Sequence, residues 1–560
     1  MTLLHISSAG VRLIRGLFSG LLVLGALLMG ARVTARAETA PRPATGPYRI
    51  AGRVVNELTG EPVRRATVAA LAEEDRDIVR SVQTDADGRF SMERMAAGKY
   101  PLTASKRGFR AAFYDEHDEF NSAIVTGEGQ DTVNLEFRLA PGAVLHGVVT
   151  GDGGDAAENA SVILFKRDAD AAQSQGQGEV KEVDGATTDD TGAYEFTNLA
   201  AGEYFVAVAT SPWYAMHPPI GSARRNEGNE NSPLDVAYPV TFFDSTNDES
   251  SATPVVLAAG SREQADITLH AVPALHLQVA APFKANGANM ARPELRQLIF
   301  GVQISAESAG FIDAMQSGVA EFNGVAPGRY ELVQGDPARI SQLDATTSQS
   351  IDPNVGTPAV SVNGLLRSSS GAALPENVTI LLEPVGVTRA TIPTNAHKGK
   401  FRFDAVPPGT WSLWASTQGN NLPVVSVTTN ETATAGNQLT VKDRSMSVVA
   451  NVSQSLTRVE GFARKDGKGL AGAMIVLVPR QPSAYRALVR RDQSDSDGSF
   501  SLRDVPAGQY TVIAIEDGWK LDWTRREDLA HFLAGGATVT VGDRPEAVVS
   551  LSQPVAVQAR

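Results

Sequence analysis

Five copies of one motif constrain the fold of this chain more than any other feature. In each copy a glycine is followed ten residues later by a second glycine, and an aromatic residue stands two positions further on. The copies read TDADGRFSMERMAAGKY (84–100), TDDTGAYEFTNLAAGEY (188–204), QSGVAEFNGVAPGRY (316–330), HKGKFRFDAVPPGTW (397–411) and SDSDGSFSLRDVPAGQY (494–510). Internal repetition of this kind predicts an array of similar folding units.

The apolar positions of the motif predict β-strands. Residues two and four after the first glycine are mostly large and apolar, and the residue seven after it is always apolar. Alternation with period two is typical of a half-buried strand. The first glycine predicts a hairpin turn, and the Ala-Gly or Pro-Gly pair at the second glycine predicts the next turn. About six or seven such strands per 100 residues indicate a β-sandwich. The sequence therefore predicts an all-β chain of about five tandem sandwiches.

The acidic residues before the first glycine are predicted to form turns and not a calcium loop. They are present around Gly88, Gly192 and Gly498 but are replaced in the third and fourth copies, which read MQSG and AHKG. An EF-hand-like loop also needs a glutamate at its twelfth position, and counting from Asp495 that position is Pro506. Aspartate before glycine is ordinary turn chemistry.

The motif spacing divides the chain into five repeats, a name kept below. They are repeat 1 (48–140), repeat 2 (141–272), the degenerate repeat 3 (273–352), repeat 4 (353–452) and repeat 5 (453–554). A Pro-, Asn- and Gly-rich insertion at 211–239 in repeat 2 reads as a surface loop, and the polar segment 336–358 as a linker. Residues 525–533 carry apolar residues on one face and predict a short helix across the end of repeat 5.

The first 37 residues are predicted to be a targeting segment. Arg12 and Arg15 precede an apolar run at 16–30, and Ala35 and Ala37 suit a cleavage site. The alternative is an uncleaved anchor through residues 16–31, and 38–47 reads as a linker. Both alternatives place the remainder outside the cytoplasm, in the periplasm, at the cell surface or secreted.

The composition of the chain excludes several kinds of site and partner. The chain has no cysteine, which excludes disulfides, thiolate metal sites and a cysteine nucleophile. The net charge is −13, and it becomes −17 without residues 1–37 because these hold four arginines and no acid. So acidic a protein is not expected to bind nucleic acid. No motif predicts a cofactor.

Several motifs resemble one known family. Gly60-Glu61-Pro62 followed by Ala66-Thr67-Val68, and the T-D-x-x-G-x-F…G-x-Y pattern, resemble carboxypeptidase regulatory-like domains. This resemblance implies transthyretin-like (prealbumin-like) or Ig-like sandwiches, close to starch-binding and collagen-adhesin B-type modules. The segment 241–279 resembles inter-repeat segments of multi-repeat exported proteins of acidobacteria. The resemblance covers most of 48–552 and is specific for fold but not for activity.

Motifs for catalysis are missing from the sequence. None of the eight histidines begins an H-x-x-E or H-E-x-x-H motif, as a zinc peptidase requires. G-x-S-x-G, a P-loop and a helix-opening G-x-G-x-x-G are also missing. Only the accessory module of the peptidase family is therefore expected, and the chain is predicted not to be an enzyme.

Two clusters are candidate sites. Asp115, His117 and Glu119 in the stretch YDEHDEF could hold a divalent cation, although such a run is more often a solvated acidic loop. Trp213, Tyr214, Trp519 and Trp523 follow strands and could stack on sugar rings, or instead cover the ends of their own sandwiches. Trp411 replaces the motif tyrosine and is predicted to be a core residue.

The sequence therefore predicts a non-catalytic, exported scaffold or interaction protein of the bacterial cell envelope. Its partner would be an envelope protein or a glycan, bound by the loops at the sandwich ends. The alternative is a carbohydrate-binding protein that uses the four exposed aromatic residues. The arrangement of those residues, in a groove or buried, discriminates between the two.

Overall fold

The computed structural model describes residues 45–167, 180–217, 232–280, 293–308, 310–311, 319–334, 338–352, 354–385, 391–417, 420–429, 432–542 and 548–560. The regular secondary structure of these parts is almost entirely β-strand, with only a few short helical segments, which confirms the all-β prediction. None of their helices has the length and apolar character needed to cross a membrane. The apolar run 16–30 lies outside the described residues, so the targeting segment stays a prediction.

Repeats 1 and 2 contain the first twenty strands. Repeat 1 contains β1 (Thr45–Asn56), β2 (Thr67–Leu71), β3 (Ile78–Gln83), β4 (Arg89–Met95), β5 (Gly98–Tyr100), β6 (Leu102–Ser105), β7 (Ala112–Phe113), β8 (Ile124–Thr126) and β9 (Leu135–Leu139). Repeat 2 contains β10 (Ala143–Thr150), β11 (Ser161–Arg167), β12 (Val180–Thr187), β13 (Ala193–Leu199), β14 (Gly202–Ala209), β15 (Val236–Ala237), β16 (Thr241–Phe242), β17 (Val255–Leu257), β18 (Arg262–Gln264), β19 (Ile267–Thr268) and β20 (Val272–Pro273), with a 3₁₀ turn at Glu249–Ser251.

Repeats 3 and 4 continue the pattern. Repeat 3 contains β21 (Leu275–Ala280), β22 (Glu294–Ile299), β23 (Val302–Ser308), β24 (Gly310–Phe311), β25 (Val319–Val325), β26 (Gly328–Gln334), β27 (Arg339–Ala345) and β28 (Gln349–Ile351), and β29 (Thr357–Pro358) follows it. Repeat 4 contains β30 (Val360–Ser368), β31 (Asn377–Pro384), β32 (Ile392–His397), β33 (Lys400–Val406), β34 (Gly409–Thr417), β35 (Asn420–Asn421), β36 (Val424–Thr429), β37 (Thr432–Ala435), β38 (Gln438–Val441) and β39 (Met446–Val452).

Repeat 5 differs by carrying short helices among its strands. It contains β40 (Thr457–Lys465), β41 (Lys468–Gly469), β42 (Met474–Pro479), α1 (Tyr485–Leu488), β43 (Arg490–Gln493), β44 (Ser499–Val505), β45 (Gly508–Glu516), β46 (Ala537–Val541), β47 (Val548–Ser550) and β48 (Val555–Ala559). Three 3₁₀ segments span Pro482–Ala484, Gly518–Lys520 and Arg526–Gly535. The last is the helix expected at 525–533, and its Leu529 and Phe532 are buried against β42 and β45.

One topology recurs in all five repeats. The first strand (β1, β10, β21, β30 or β40) pairs antiparallel with the motif strand and parallel with a late strand of the same repeat. The second strand pairs with its successor and with the strand that follows the second glycine. Buried apolar side chains fill the space between the two layers in each repeat.

The motif strand carries a β-bulge that its apolar spacing requires. Residues four and seven after the glycine both face the core, yet three positions apart they would point to opposite faces of a regular strand. In every repeat the pairing register shifts between these two positions. Four of the bulges contain a residue with positive φ at the sixth position: Arg94, Asn198, Gly324 and Asp504. The bulge turns the apolar residue at position seven back into the core.

The motif aromatic anchors the turn before it. Each of the five rings is buried and donates a hydrogen bond to the backbone carbonyl four residues earlier, in the pairs Tyr100–Ala96, Tyr204–Ala200, Tyr330–Ala326, Trp411–Pro407 and Tyr510–Pro506, at 2.8–3.2 Å. Trp411 is only 1% exposed, so its predicted core position is confirmed. A ring that fills the core and also satisfies a turn carbonyl explains why only tyrosine or tryptophan occupies this site.

Two local expectations were wrong. The turn at the first glycine was expected to close a hairpin, but in repeats 1, 2 and 5 it connects strands of opposite layers. The polar segment 336–358 was expected to be a linker, but β27 and β28 within it pair with β26 and β21. Polar composition misled there because these strands are exposed on one side.

Candidate functional site

The structure brings together two candidate clusters that are about 400 residues apart in the sequence. The loop of residues 114–125 in repeat 1 contacts residues 491–496 and Trp519 of repeat 5, and Trp523 packs against Arg491 behind them. We call this arrangement the terminal contact. His117 and Trp519 lie stacked, with ring centroids 5.2 Å apart and planes 10° from parallel. The predicted metal residues and one of the two predicted aromatic pairs are therefore parts of one contact between repeats.

Repeat 5 contributes an aromatic surface with a cation above it. Trp519 donates from Nε1 to the carbonyl of Gly472 at 2.9 Å, which fixes its ring. The guanidinium carbon of Arg491 lies 3.9 Å from the ring centroid of Trp523 and 5.0 Å from that of Phe120 in repeat 1. The Arg491 side chain is only 7% exposed, and a desolvated cation–π contact stabilises more than an exposed one.

Arg491 also neutralises the acidic loop. Its guanidinium forms ion pairs with Asp118 at 2.9 Å and with Glu119 at 3.9 Å. The side chains of Asp118 and Glu119 are 42% and 61% exposed, so solvent screens both pairs. The main effect of these pairs is to match an acidic loop of repeat 1 to a basic position of repeat 5.

Main-chain groups of strand β8 are also used by repeat 5. The backbone N–H of Ser496 donates to the carbonyl of Ala123 at 3.0 Å. In return, the N–H of Ala123 donates to Asp495 Oδ1 and that of Val125 to Ser496 Oγ, both at 2.8 Å. The turn of repeat 5 therefore continues the sheet formed by β5 and β8, and it satisfies donors of an edge strand.

One amide side chain links the rest of the loop. Gln493 is 1% exposed and donates from Nε2 to the Asp115 carbonyl at 2.5 Å and to Ser122 Oγ at 2.9 Å. Its Oε1 lies 3.1 Å from His117 Nδ1. The main-chain carbonyl of Ser494 also accepts from Ser122 Oγ at 2.9 Å. Because buried polar groups are costly when unpaired, this network specifies one register of the two repeats.

Asp495 shows how a repeated turn residue has become a contact residue. The equivalent Asp85 and Asp189 each accept bonds from the amides two and four residues further on, within their own turns. In repeat 5, Asp497 accepts from the Ser499 amide instead. The Asp495 carboxylate accepts from Ala123 and pairs with Lys99 Nζ at 2.7 Å, both in repeat 1.

The Lys99–Asp495 pair is partly buried, with side chains 24% and 12% exposed. Burial alone would lower the pKa of Lys99, but Asp495 more than offsets this and the pKa is raised. Burial raises the pKa of Asp495 in spite of Lys99, so the two shifts favour opposite protonation states of the pair. The short contact and the partial access of water to Lys99 favour the ion pair.

Asp492, beside the terminal contact, has a carboxyl pKa raised far above its usual value. Although the residue keeps some exposed surface, burial of its carboxyl raises its pKa from 3.8 to about 7. The Ser501 amide, which donates to this carboxyl at 2.5 Å, lowers the pKa, and Asp495 raises it further. The carboxyl therefore titrates near neutral pH.

The raised pKa predicts that repeat 5 loses stability as the pH rises. Between pH 3.8 and about 7 the folded state holds a proton that the unfolded state has lost, so the free energy of unfolding falls across this window and is flat above it. Asp492→Asn should remove most of this slope. Unfolding of repeat 5 would be followed by hydrogen exchange from pH 4 to 8. Asp466→Asn, an exposed turn residue of the same repeat, is the control, and parallel pH profiles of Asp492→Asn and the parent would contradict the assignment.

The predicted metal residues have other contacts in the structure. Asp115 Oδ2 accepts from Ser122 at 3.0 Å and from Gln493 at 3.2 Å, His117 faces Gln493, and Glu119 pairs with Arg491. Among the residues that the structure describes, no three His, Asp or Glu side chains are grouped as metal ligands. These residues are therefore engaged by repeat 5 in the structure, and the cation site stays a prediction.

The predicted aromatic residues divide into two environments. Trp519 and Trp523 are partly buried and packed against the outer face of β42 and β45, and Trp519 also contacts His117 and Phe120 of repeat 1. Trp213 in repeat 2 is 88% exposed, and Tyr214 meets it edge-on at 87° and 5.7 Å. The four aromatic side chains thus do not form one coplanar surface.

Sequence reasoning missed the residues of repeat 5 that complete the terminal contact. Gln493, Asp495 and Ser496 stand in a motif whose other copies serve only their own turns. Nothing in the local pattern distinguishes Asp495 from Asp85 or Asp189. Only the position of repeat 1 gives this copy its second role.

Comparison with known proteins identifies the domain type of repeat 1. The model of the carboxypeptidase regulatory-like domain matches residues 49–140, which confirms the family resemblance there. The human BOS complex subunits NOMO3 and NOMO1 are each 28% identical over 254 residues, which is 37% of this chain. The chain spans about one fifth of the length of these relatives, 20% of each.

Solved structures with similarity to this chain include a pilin and a collagen-binding protein. A streptococcal ancillary pilin matches 51% of this chain and 99% of its own, with 13% identity and a TM-score of 0.20. Two B repeat units of the collagen-binding protein of Staphylococcus aureus match 72% of this chain and 99% of their own, with 8% identity and a TM-score of 0.13. Scores this low do not establish a shared overall arrangement.

Proposed function

We propose that this chain is a non-catalytic scaffold or interaction protein of the bacterial cell envelope, exported through residues 1–37. The observation that carries the proposal is the terminal contact, which engages Asp115, His117 and Trp519 in joining repeats 1 and 5. A module of carboxypeptidase regulatory-like type without peptidase motifs supports a non-catalytic role. The name of the human relatives, subunits of a complex, supports a role in protein–protein binding.

The surface that we propose for partner binding is the exposed base of the repeat 2 insertion. Trp213, Met216 and Leu234 are 88%, 50% and 39% exposed there. The base is ordered by a backbone bond from the Met216 amide to the Leu234 carbonyl at 2.7 Å, and by Asp235, which contacts His217 at 3.0 Å. Exposed large apolar side chains on a fixed support are typical of binding surfaces.

A second candidate function is carbohydrate binding, and the exposure of Trp213 favours it. An indole with 88% of its surface open could stack on a sugar ring. Under this alternative Trp213 and Tyr214 bind the glycan, whereas Trp519 already contacts repeat 1 and Trp523 already packs against Arg491.

A cross-linking experiment tests whether the terminal contact exists in solution. Glu73 in repeat 1 and Arg503 in repeat 5 lie 3.6 Å apart at its rim, with side chains 32% and 45% exposed. The chain has no cysteine, so Glu73→Cys with Arg503→Cys gives one defined pair. A short bismaleimide should join the pair within the monomer, whereas Glu73→Cys with Ser370→Cys should not react. We call the form in which repeats 1 and 5 of one chain meet the closed scaffold. Equal yields for the two pairs would refute it.

A binding experiment separates the two candidate functions. The purified protein and its Trp213→Ala and Trp519→Ala variants would be tested against a panel of glycans and cell-wall polysaccharides. The scaffold proposal predicts no saturable binding by any of them. Saturable binding that Trp213→Ala abolishes and Trp519→Ala leaves intact would establish the carbohydrate-binding alternative.

A further inference from the structure

The terminal contact joins repeats 1 and 5 mainly through polar groups, with Trp519 against His117 and Phe120 as its aromatic part. Its bonds are those of Asp495, Gln493 and Ser496 with repeat 1, together with the ion pairs of Arg491 and Lys99. Among the described residues, no cluster of buried apolar side chains contains members of both repeats 1 and 5. Interfaces of this polar kind separate more readily than apolar ones.

Two other junctions have apolar cores. Phe165, Phe205 and Phe242 of repeat 2 pack with Phe300 of repeat 3, with ring centroids 5.1–5.8 Å apart. Val425 and Ala435 of repeat 4 pack against the core of repeat 5. Repeats 2 and 3 therefore form one firmly joined pair, and repeats 4 and 5 form another.

The two pairs are joined by the covalent connection between repeats 3 and 4, at residues 357–360. Residues 357–358 pair with β27 of repeat 3, and the Ala359 amide donates to the Ala338 carbonyl at 2.8 Å. Strand β30 of repeat 4 begins at the next residue, Val360. In the described parts of the chain no buried apolar cluster spans repeats 3 and 4. Rotation about residues 359–360 would separate repeats 1 and 5 without breaking either of the two apolar junctions.

We propose that the terminal contact is exchangeable, and that the 114–125 loop of one copy binds residues 491–496 of a second copy of this chain. This proposal rests on the closed scaffold proposed above. An exchanged dimer would keep every bond of the terminal contact and would differ from the closed form only in the backbone near residue 359. Domain swapping costs little free energy when the two forms share the same contacts in this way. The closed form competes because its two halves meet at an effective concentration in the millimolar range.

The test uses two single-cysteine chains. One carries Glu73→Cys and the other Arg503→Cys, and they are mixed at rising concentration with the short bismaleimide. A cross-linked heterodimer should form at least about tenfold more than in a control mixture of Glu73→Cys and Ser370→Cys chains, with a yield that rises toward about 1 mM protein. Equal yields in both mixtures would overturn the exchange, while the intrachain cross-link would still report the closed scaffold separately.

Light scattering provides a second measurement. The apparent mass of the parent should rise from that of one chain toward that of two as the protein approaches about 1 mM. Asp495→Ala, which removes the bonds to Ala123 and Lys99, should keep the mass of one chain. A parent that keeps the mass of one chain at every concentration would overturn the proposal.

Discussion

Gly364→Val should unfold repeat 4 locally, and Gly364→Val combined with Phe401→Ala should cost less than the sum of the two single variants. Gly364 of β30 stands directly opposite Phe401 of β33, and a Cβ on Gly364 would lie 1.9 Å from Cζ of that ring. Neither side chain can then keep its place, and we expect a cost of about 3 kcal/mol or more. Phe401→Ala alone removes a buried ring and should cost about 3–5 kcal/mol.

The repeats themselves supply the reason to expect compensation. A glycine faces an aromatic residue at this position in four repeats, in the pairs Gly52–Phe90, Gly147–Tyr194, Gly364–Phe401 and Gly461–Phe500. In repeat 3 the same position holds Val279 opposite Ala320. Both arrangements fill the same part of the sandwich, because the ring covers the glycine and the valine fills the space that the alanine leaves.

The measurement is hydrogen exchange of β30 and β33 in the full chain, since a single melting temperature is ill-defined for five repeats. Gly364→Val with Phe401→Ala should lose less stability than the sum of the single variants, with a coupling of about 1–3 kcal/mol. Asn363→Val is the matched control, because Asn363 is exposed on the other face of the same strand. Strict additivity would show that the two positions do not share one volume.

Asp495→Ala should release repeat 1 from repeat 5, whereas Asp85→Ala should not. Removal of the Asp495 carboxylate leaves the Ala123 amide and the Lys99 ammonium without their partner across the terminal contact. Loss of one member of a buried charged pair costs about 3–5 kcal/mol, and the partial exposure of Lys99 reduces this to about 2 kcal/mol. A polar contact without an apolar core should open at that cost.

Asp85 is the matched control because it occupies the same motif position. Its carboxylate bonds only to the amides of Asp87 and Arg89 in its own turn, and its loss should cost about 1 kcal/mol there. Hydrogen exchange at residues 121–126 and the Glu73–Arg503 cross-link report the opening. If Asp495→Ala and Asp85→Ala leave both readouts equally unchanged, Asp495 does not hold the terminal contact.

The apolar and glycine pattern of the motif was sufficient to predict much of the fold. It located the motif strand and its successor in every repeat, because period-two burial and glycine turns are local properties. It also indicated the buried Trp411. The bulge could have been predicted as well, since an apolar spacing of three is incompatible with a regular strand. The linker expected at 336–358 failed because polar composition cannot distinguish a half-exposed strand from a loop.

The candidate sites were also predictable only as far as local sequence features reach. Residue types alone drew attention to the acidic loop around His117 and to Trp519, because carboxylates with an imidazole can hold a cation and an indole can stack on a sugar ring. The sequence could not show that these groups contact each other, since three repeats lie between them. It also could not reveal Gln493 or Asp495, whose roles depend on which surface lies opposite.

By itself, the sequence determined the repeated strand pattern, the buried motif positions and the turns, because these depend on interactions within about twenty residues. The tertiary structure alone decided that the first and last repeats meet, that Asp495 leaves its turn to bind repeat 1, and that Trp519 stacks on His117. The physical reason is that hydrogen bonding and burial across a contact depend on complementary surfaces brought together in space. No local spacing of residues records that complementarity.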